Sequence, residues 1–205
     1  MTHSTQTRTV YVVDDDASIR AGLKDLLDSV SLATHVFATT HDFLSHPRAE
    51  APSCLILDIR MPGQSGTDFY RQMQRLEILM PVIFITGHGD IAMGVKAIKD
   101  GAADFLTKPF RDQDLLDAVH AALERDRLRL ERDQASRSLQ ERWRSLTPGE
   151  RDVVLRVVRG ELNKQIAAAL DIQEITVKVR RAKAMKKMEA GSLAELVTII
   201  LALSP

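Results

Sequence analysis

The chain has 205 residues, a length that allows one large domain or two small ones. Its single cysteine, Cys54, excludes an intrachain disulfide, and its apolar stretches fall short of the ~20 residues a membrane-spanning helix needs. Equal numbers of basic and acidic residues, 28 of each, hide an asymmetry: residues 1–124 carry 11 Lys/Arg against 17 Asp/Glu, a net of −6, and the remainder is +6. An acidic half joined to a basic half hints at nucleic-acid contact by the basic part.

The start, Met1 to Arg8, is polar and lacks an apolar signal core. With a lone cysteine that suits a reducing compartment, the chain reads as soluble and cytoplasmic. From residue 9 to about 124, short apolar runs alternate with helical patterns. Thr9–Val13, Thr34–Phe37, Cys54–Leu57, Val82–Ile85 and Asp104–Thr107 are short, β-branched and apolar without alternation. Such runs fit parallel strands covered on both faces. Between them, Ile19, Leu23, Leu26, Leu27 and Val30 recur at helical spacing behind Asp16, a good N-cap. Ile91, Val95 and Ile98 predict the buried face of a fourth helix, and Leu115, Leu116, Val119 and Leu123 that of a fifth. Five β-α units predict an α/β fold, a five-stranded doubly wound parallel sheet over residues 1–124.

Residues 125–144 are different in character: 11 of the 20 are charged, with no Gly or Pro. They predict a helical linker that continues the fifth helix. Leu116, Leu123 and Leu130 share a seven-residue spacing, which fits a solvated linker helix or a short dimer coiled coil. Residues 145–205 predict a second, all-α domain of four helices. Thr147-Pro148-Gly149-Glu150 is a helix opening with a capping Thr, Pro in the first turn and Glu three residues after the cap. Val153, Val154, Val157 and Val158 face a core. Asn163–Leu170 and Glu174–Met188 follow as helices, and Ser192 caps the last, which runs through Leu203.

In a doubly wound sheet, polar groups meet ligands at the carboxyl ends of the strands. Asp14, Asp15 and Asp16 follow the first strand, Asp58 the third, Thr86 and Gly87 the fourth, and Lys108 and Pro109 the fifth. Clustered carboxylates repel unless a cation sits among them, and Mg²⁺ takes oxygen ligands. A carboxylate can attack phosphorus to give an aspartyl phosphate, a transfer that needs positioning and charge compensation. Asp16 reads as a helix cap, and His88, in Gly87-His88-Gly89-Asp90, as a loop residue.

Val12-Val13-Asp14-Asp15-Asp16, Leu57-Asp58-Ile59-Arg60-Met61-Pro62-Gly63, Ile85-Thr86-Gly87 and Thr107-Lys108-Pro109-Phe110 resemble the receiver domain of two-component response regulators over residues 8–124. The resemblance implies that Asp58 is the phosphoacceptor. It implies that Asp15, Asp58 and the backbone carbonyl of Arg60 ligate Mg²⁺ (or Mn²⁺), with Asp14 in support, and that Thr86 and Lys108 bind the phosphoryl oxygens. Phe105 resembles the aromatic residue that switches when Thr86 moves, and the Lys108–Pro109 bond is expected to be cis. No Gly-rich nucleotide loop suggests an internal donor, so the donor is expected from outside, and the resemblance implies a sensor histidine kinase.

Lys178, Arg180, Arg181, Lys183, Lys186 and Lys187 form a basic run without acids, on a helix whose apolar face is Val177, Ala184 and Met188. That is the layout of a recognition helix for the major groove. Leu146-Thr147-Pro148-Gly149-Glu150, Asn163-Lys164-Gln165-Ile166-Ala167, Leu170 and Thr176-Val177-Lys178 resemble the LuxR-type helix-turn-helix, and the whole chain resembles the FixJ branch of response regulators. The resemblance implies that Lys178, Val179, Ala182 and Lys183 face bases, and that Thr176, Arg180, Lys187, Asn163 and Lys164 face phosphates. Four positions depart from the family pattern: Arg180 stands for His, Gln173 for a Ser or Thr cap, Ala184 for a larger aliphatic and Gly149 for Arg. The expected function is phosphorylation-dependent transcription regulation rather than enzymatic turnover. A homodimer would form on phosphorylation, with promoter DNA and RNA polymerase as further partners. Two rival readings stay open: a phosphate-independent DNA-binding regulator whose receiver only assembles, and a phosphatase using Asp14 and Asp16.

Overall fold

The computed structural model describes residues 8–48, 50–87 and 91–203; the side chains of Ile91 and Ala92 and the loop residue His88 lie outside that set. The chain forms two compact units, Met1–Leu130 and Glu131–Pro205.

The first unit holds β1 (Thr9–Val13), α1 (Ala17–Ser29), β2 (Ala33–Phe37), α2 (Thr40–Ser45), β3 (Ser53–Asp58), α3 (Gly66–Arg75), β4 (Val82–Thr86), α4 (Ile91–Lys99), β5 (Asp104–Thr107) and the start of α5 (Asp112–Arg144). The strands form one parallel sheet in the order β2-β1-β3-β4-β5. The central strands β1, β3 and β4 are buried along their whole length, whereas the edges β2 and β5 are only half-covered. Alternate residues of each strand enter opposite cores. Val10, Val12, Ile83 and Ile85 pack with Leu23 and Leu27 of α1 and Leu115 and Val119 of α5. Tyr11, Val13, Leu57 and Phe84 pack with Phe43 of α2 and Phe69 and Met73 of α3. The absence of alternation in the sequence has this cause: both faces of the sheet are covered. Cys54 is a buried member of the first core, where desolvation pushes its thiol pKa up.

Two expected core faces are corrected. In α1, Val30 is the exposed C-cap rather than a core residue. In α4, Val95 and Ile98 are exposed, and the face turned to the sheet is Gly94 and Ala97. The reason is the Phe105 ring, which fills the space beside α4; a Cβ on Gly94 would come within 2.6 Å of the ring's Cδ2. Small residues are what that contact admits, and the larger apolar ones are left to the outer face.

α5 is a single helix of 33 residues, so the charged segment continues it. Its seven-spaced leucines face their own unit: Leu123 is buried in the first core, Leu116 packs against it, and Leu130 lines a surface cavity of about 340 Å³ with Leu76, Ile78 and Met80. Asp126 is fully buried. Its carboxylate accepts from the Ser53 N–H at 2.9 Å and from Arg129 Nε at 2.8 Å, tying α5 to the start of β3.

The second unit holds α6 (Pro148–Val158), α7 (Asn163–Leu170), α8 (Glu174–Lys187) and α9 (Leu193–Leu203). α6 opens with a complete capping box: Thr147 Oγ1 accepts from the Glu150 N–H, and the Glu150 carboxylate accepts from the Thr147 N–H. Val153, Val157, Ile166 and Val177 form one core cluster; Leu146, Val154, Ala184, Met188, Leu196 and Ile200 form another, against which Trp143 packs. Ala184 is completely buried, so the smaller residue is accommodated without a surface break. Gln173 is the N-cap of α8 and makes no side-chain capping bond.

Candidate functional sites

β1, β3, β4 and β5 end on one edge of the sheet, and each delivers one expected group there. Carboxylate oxygens of Asp14, Asp15 and Asp58 lie within 4.8 Å of one another. Asp14 and Asp58 are buried and Asp15 is exposed, so the cluster opens to solvent on one side. Lys108 Nζ reaches across from β5 and donates to Asp14 Oδ2 at 2.9 Å and Asp58 Oδ2 at 3.4 Å. The peptide bond between Lys108 and Pro109 is cis, as expected. The Thr86 side chain is buried at the end of β4, the strand paired with β3. Its hydroxyl lies 3.4 Å from the Gly87 carbonyl, a weak bond that a better acceptor would displace. The Arg60 N–H donates to Asp58 Oδ1 at 3.3 Å.

The electrostatics of this edge follow from burial. Desolvation is the main reason the Asp58 carboxyl titrates above the ordinary range; the Lys108 charge opposes that shift and the Asp14 charge adds to it. For Lys108, burial disfavours the ammonium, but the hydrogen bond to Asp14 and the charges of Asp14 and Asp58 outweigh it and raise its pKa. Three carboxylates facing that one ammonium leave an excess of negative charge. The cluster could therefore hold a metal ion, whose charge would offset that excess. Asp16 acts as the N-cap expected of it: Ile19 and Ser18 N–H groups donate to its carboxylate and hold its pKa down.

Two residues that sequence reasoning did not single out shape the edge. Arg20 Nη1 donates to the Asp14 carbonyl at 2.6 Å; nothing in the sequence distinguishes this arginine from an exposed helical charge. Gly66 opens α3 with its N–H donating to the Ile59 carbonyl at 2.9 Å. A Cβ there would overlap the Asp58 carbonyl oxygen and stand 3.1 Å from Ile59 Cα. Glycine at the start of α3 is what allows that helix to press against the backbone of Asp58.

In the second unit, Lys178, Val179, Ala182 and Lys183 are exposed on one stripe of α8, opposite the buried Val177, Ala184 and Met188. Lys178 pairs with Glu174 at 3.4 Å, one turn away on the surface. Thr176 and Arg180 are half-buried on its flank. Lys164 is exposed in the first turn of α7, beside the half-buried Asn163, whose Oδ1 accepts weakly from Arg181 at 3.4 Å. Lys187 is engaged within its own unit: its ammonium donates to Glu150 Oε2 at 2.7 Å and to the Ser145 carbonyl at 3.1 Å. That pairing comes first among the causes that hold the Glu150 carboxyl below the usual range.

Comparison with known proteins matches residues 10–120 to the response regulator receiver domain and residues 144–200 to the bacterial regulatory proteins of the luxR family. Nodulation protein W of Bradyrhizobium diazoefficiens is 50% identical over 188 residues, 92% of this chain and 83% of that one. The transcriptional regulatory protein FixJ of the same organism is 37% identical over 93% of each chain. Among solved structures, that of the response regulator StyR matches with a TM-score of 0.88 at 43% identity, covering 96% of this chain and 99% of the other. Among the described residues, no helix is long and apolar enough to cross a membrane.

Proposed function

The chain belongs to the response regulators, joining a receiver domain to a LuxR-type DNA-binding domain, and on that premise we propose that a sensor histidine kinase phosphorylates Asp58 and that the modification controls dimerisation and promoter binding through α8. The observation that carries this reading is the convergence of Asp14, Asp15 and Asp58 with Lys108 at one sheet edge. An Asp58 carboxylate oxygen attacks the phosphorus of the donor; the new P–O bond forms as the P–N bond breaks, and the imidazole leaves with the electron pair. Asp14, Asp15, Asp58 and the Arg60 carbonyl would hold Mg²⁺ or Mn²⁺, which when bound supplies positive charge against the phosphoryl oxygens. Lys108, now spread over two carboxylates, turns to a phosphoryl oxygen and compensates its charge. The Thr86 hydroxyl gives up its weak bond to Gly87 and donates to another. That movement changes the room available to Phe105, which lies against Gly94 of α4, so a local charge event biases the outer face of α4, β5 and α5. This face pairs two chains and sets two α8 helices on successive half-sites. Lys178, Val179, Ala182 and Lys183 then read bases, while Thr176, Arg180, Asn163 and Lys164 hold phosphates. Lys187 contributes to the phosphate contacts only in so far as Glu150 releases it. Such a regulator works in the cytoplasm, alongside RNA polymerase.

The test treats the full chain with acetyl phosphate and Mg²⁺. Intact-mass measurement is expected to find one phosphoryl group, lost in Asp58→Asn. Sedimentation is expected to show a dimer, and a DNA shift tighter binding, only in the labelled protein. Label on another residue would overturn the site assignment. Equal DNA affinity with and without label at physiological salt would favour a receiver that serves assembly alone.

A further inference from the structure

We propose that Gly149 is a positioning residue for DNA binding: its lack of a side chain is the seat that aims the Arg180 guanidinium at the DNA backbone, an inference that rests on the reading of α8 as the recognition helix. A Cβ at residue 149 would lie 2.7 Å from Arg180 Nη1, 2.8 Å from Cζ and 3.2 Å from Nε. The guanidinium thus lies directly over the first turn of α6, in the space a side chain would occupy.

Nothing local calls for glycine there. The backbone at Gly149 is not in the left-handed region, and the residue stands in the first turn of a helix behind Pro148, where alanine has the better intrinsic propensity. Local preference and the chosen residue disagree, and such disagreements point to function or to a neighbour. Here the neighbour is Arg180. Its charge is not used by the fold: among the described residues it makes no ion pair and no side-chain hydrogen bond. Its guanidinium lies over Gly149 in the first turn of α6, and the residue is half-buried beside the exposed stripe of α8. A guanidinium held in that position, with no acid to satisfy it, presents a fork of donors to an anion such as a phosphate. The two departures from the family pattern at residues 149 and 180 are therefore one feature, since the arginine on α8 occupies the volume that the glycine on α6 leaves free.

The atoms that a Cβ would displace are the far end of a flexible side chain. A substitution at residue 149 therefore leaves the fold intact and moves the charge, so stability and DNA binding should respond in opposite directions. The experiment uses the phosphorylated full chain and a duplex selected from a random-sequence pool by the wild type. Gly149→Ala is expected to weaken binding about tenfold at ~0.15 M salt, comparable to losing one charged hydrogen bond. The slope of log affinity against log salt should also become shallower, by about 0.9 for each phosphate that Arg180 no longer neutralises. Arg180→Ala should do the same, and the double variant should be no weaker than either single one. Urea unfolding followed by Trp143, the only tryptophan, should show Gly149→Ala at least as stable as the wild type. Wild-type affinity in Gly149→Ala with weak binding in Arg180→Ala would overturn the proposal, as would additive losses or a destabilised Gly149→Ala. Failure of the wild type to select any duplex, or full binding by Arg180→Ala, would instead overturn the reading of α8 and of Arg180 on which it rests.

Discussion

The two units carry function in opposite ways. In the first, the candidate site is made by the ends of four strands, and two of its three carboxylates, those of Asp14 and Asp58, are buried: Asp58 ends a strand with no exposed residue, and Gly66 packs against its backbone. In the second, the candidate site is the outer stripe of one helix whose inner face, Val177, Ala184 and Met188, does the folding. The difference has a cost. Burial raises the Asp58 pKa and leaves like charges together, whereas Lys178 and Lys183 of α8 stand exposed. Function in the first unit is therefore inseparable from packing, and in the second it is an addition to packing that could be edited alone.

The largest expected effect tests the first half of that contrast. Gly66→Ala places a methyl against backbone atoms of Asp58 and Ile59, which cannot rotate away. Overpacking against main chain should cost about 3 kcal/mol of the first unit's stability. Phosphoryl labelling should fall with it, because the carboxylate and its carbonyl move together. Denaturant unfolding followed by circular dichroism, with labelling by acetyl phosphate, checks both; a stable Gly66→Ala protein that labels normally would break the link between packing and function. The second half predicts the reverse pattern. Lys178→Ala should weaken DNA binding by about 1–3 kcal/mol if the side chain reads a base, yet leave stability within about 0.5 kcal/mol, because an exposed residue with one surface ion pair supports little of the fold. A Lys178→Ala protein that binds normally would remove that residue from the base-facing stripe.

The same contrast explains what the sequence could disclose. The five strands were legible because buried parallel strands need continuous β-branched runs, and the acidic edge because chemistry-bearing residues stand directly after those runs. Whatever depends on neighbours from other elements was hidden. The period of Ile91, Val95 and Ile98 marks an apolar stripe on α4, but which stripe is buried is decided by Phe105, on the strand that follows. Asp126 looked like one charge among many in a linker; only the fold brings it to the Ser53 amide, 73 residues earlier. Gly66 and Gly149 matter through atoms they lack, and a sequence does not reveal what fills the space. In the second unit, caps and apolar faces are local signals, so the helix limits and the capping box at Thr147 could be read directly.

The smallest effect comes from the one local signal that this unit leaves out. Gln173 stands at the N-cap of α8 in an extended conformation suited to capping, but its side chain satisfies none of the helix's first amides. The shorter side chain of serine brings an oxygen within reach of the amide two or three residues on, which the longer glutamine does not do here. Gln173→Ser should therefore stabilise the second unit by about 1 kcal/mol or slightly less, seen as a higher urea midpoint by Trp143 fluorescence with an unchanged slope. If α8 meets DNA already folded, the substitution should leave DNA affinity nearly constant. If affinity rose together with stability, fraying of the first turn of α8 would be limiting the encounter with DNA. The proposed recognition helix would then depend on its own folding almost as closely as the acidic edge depends on the sheet, and the separation of packing from function in this unit would fail at its amino-terminal turn.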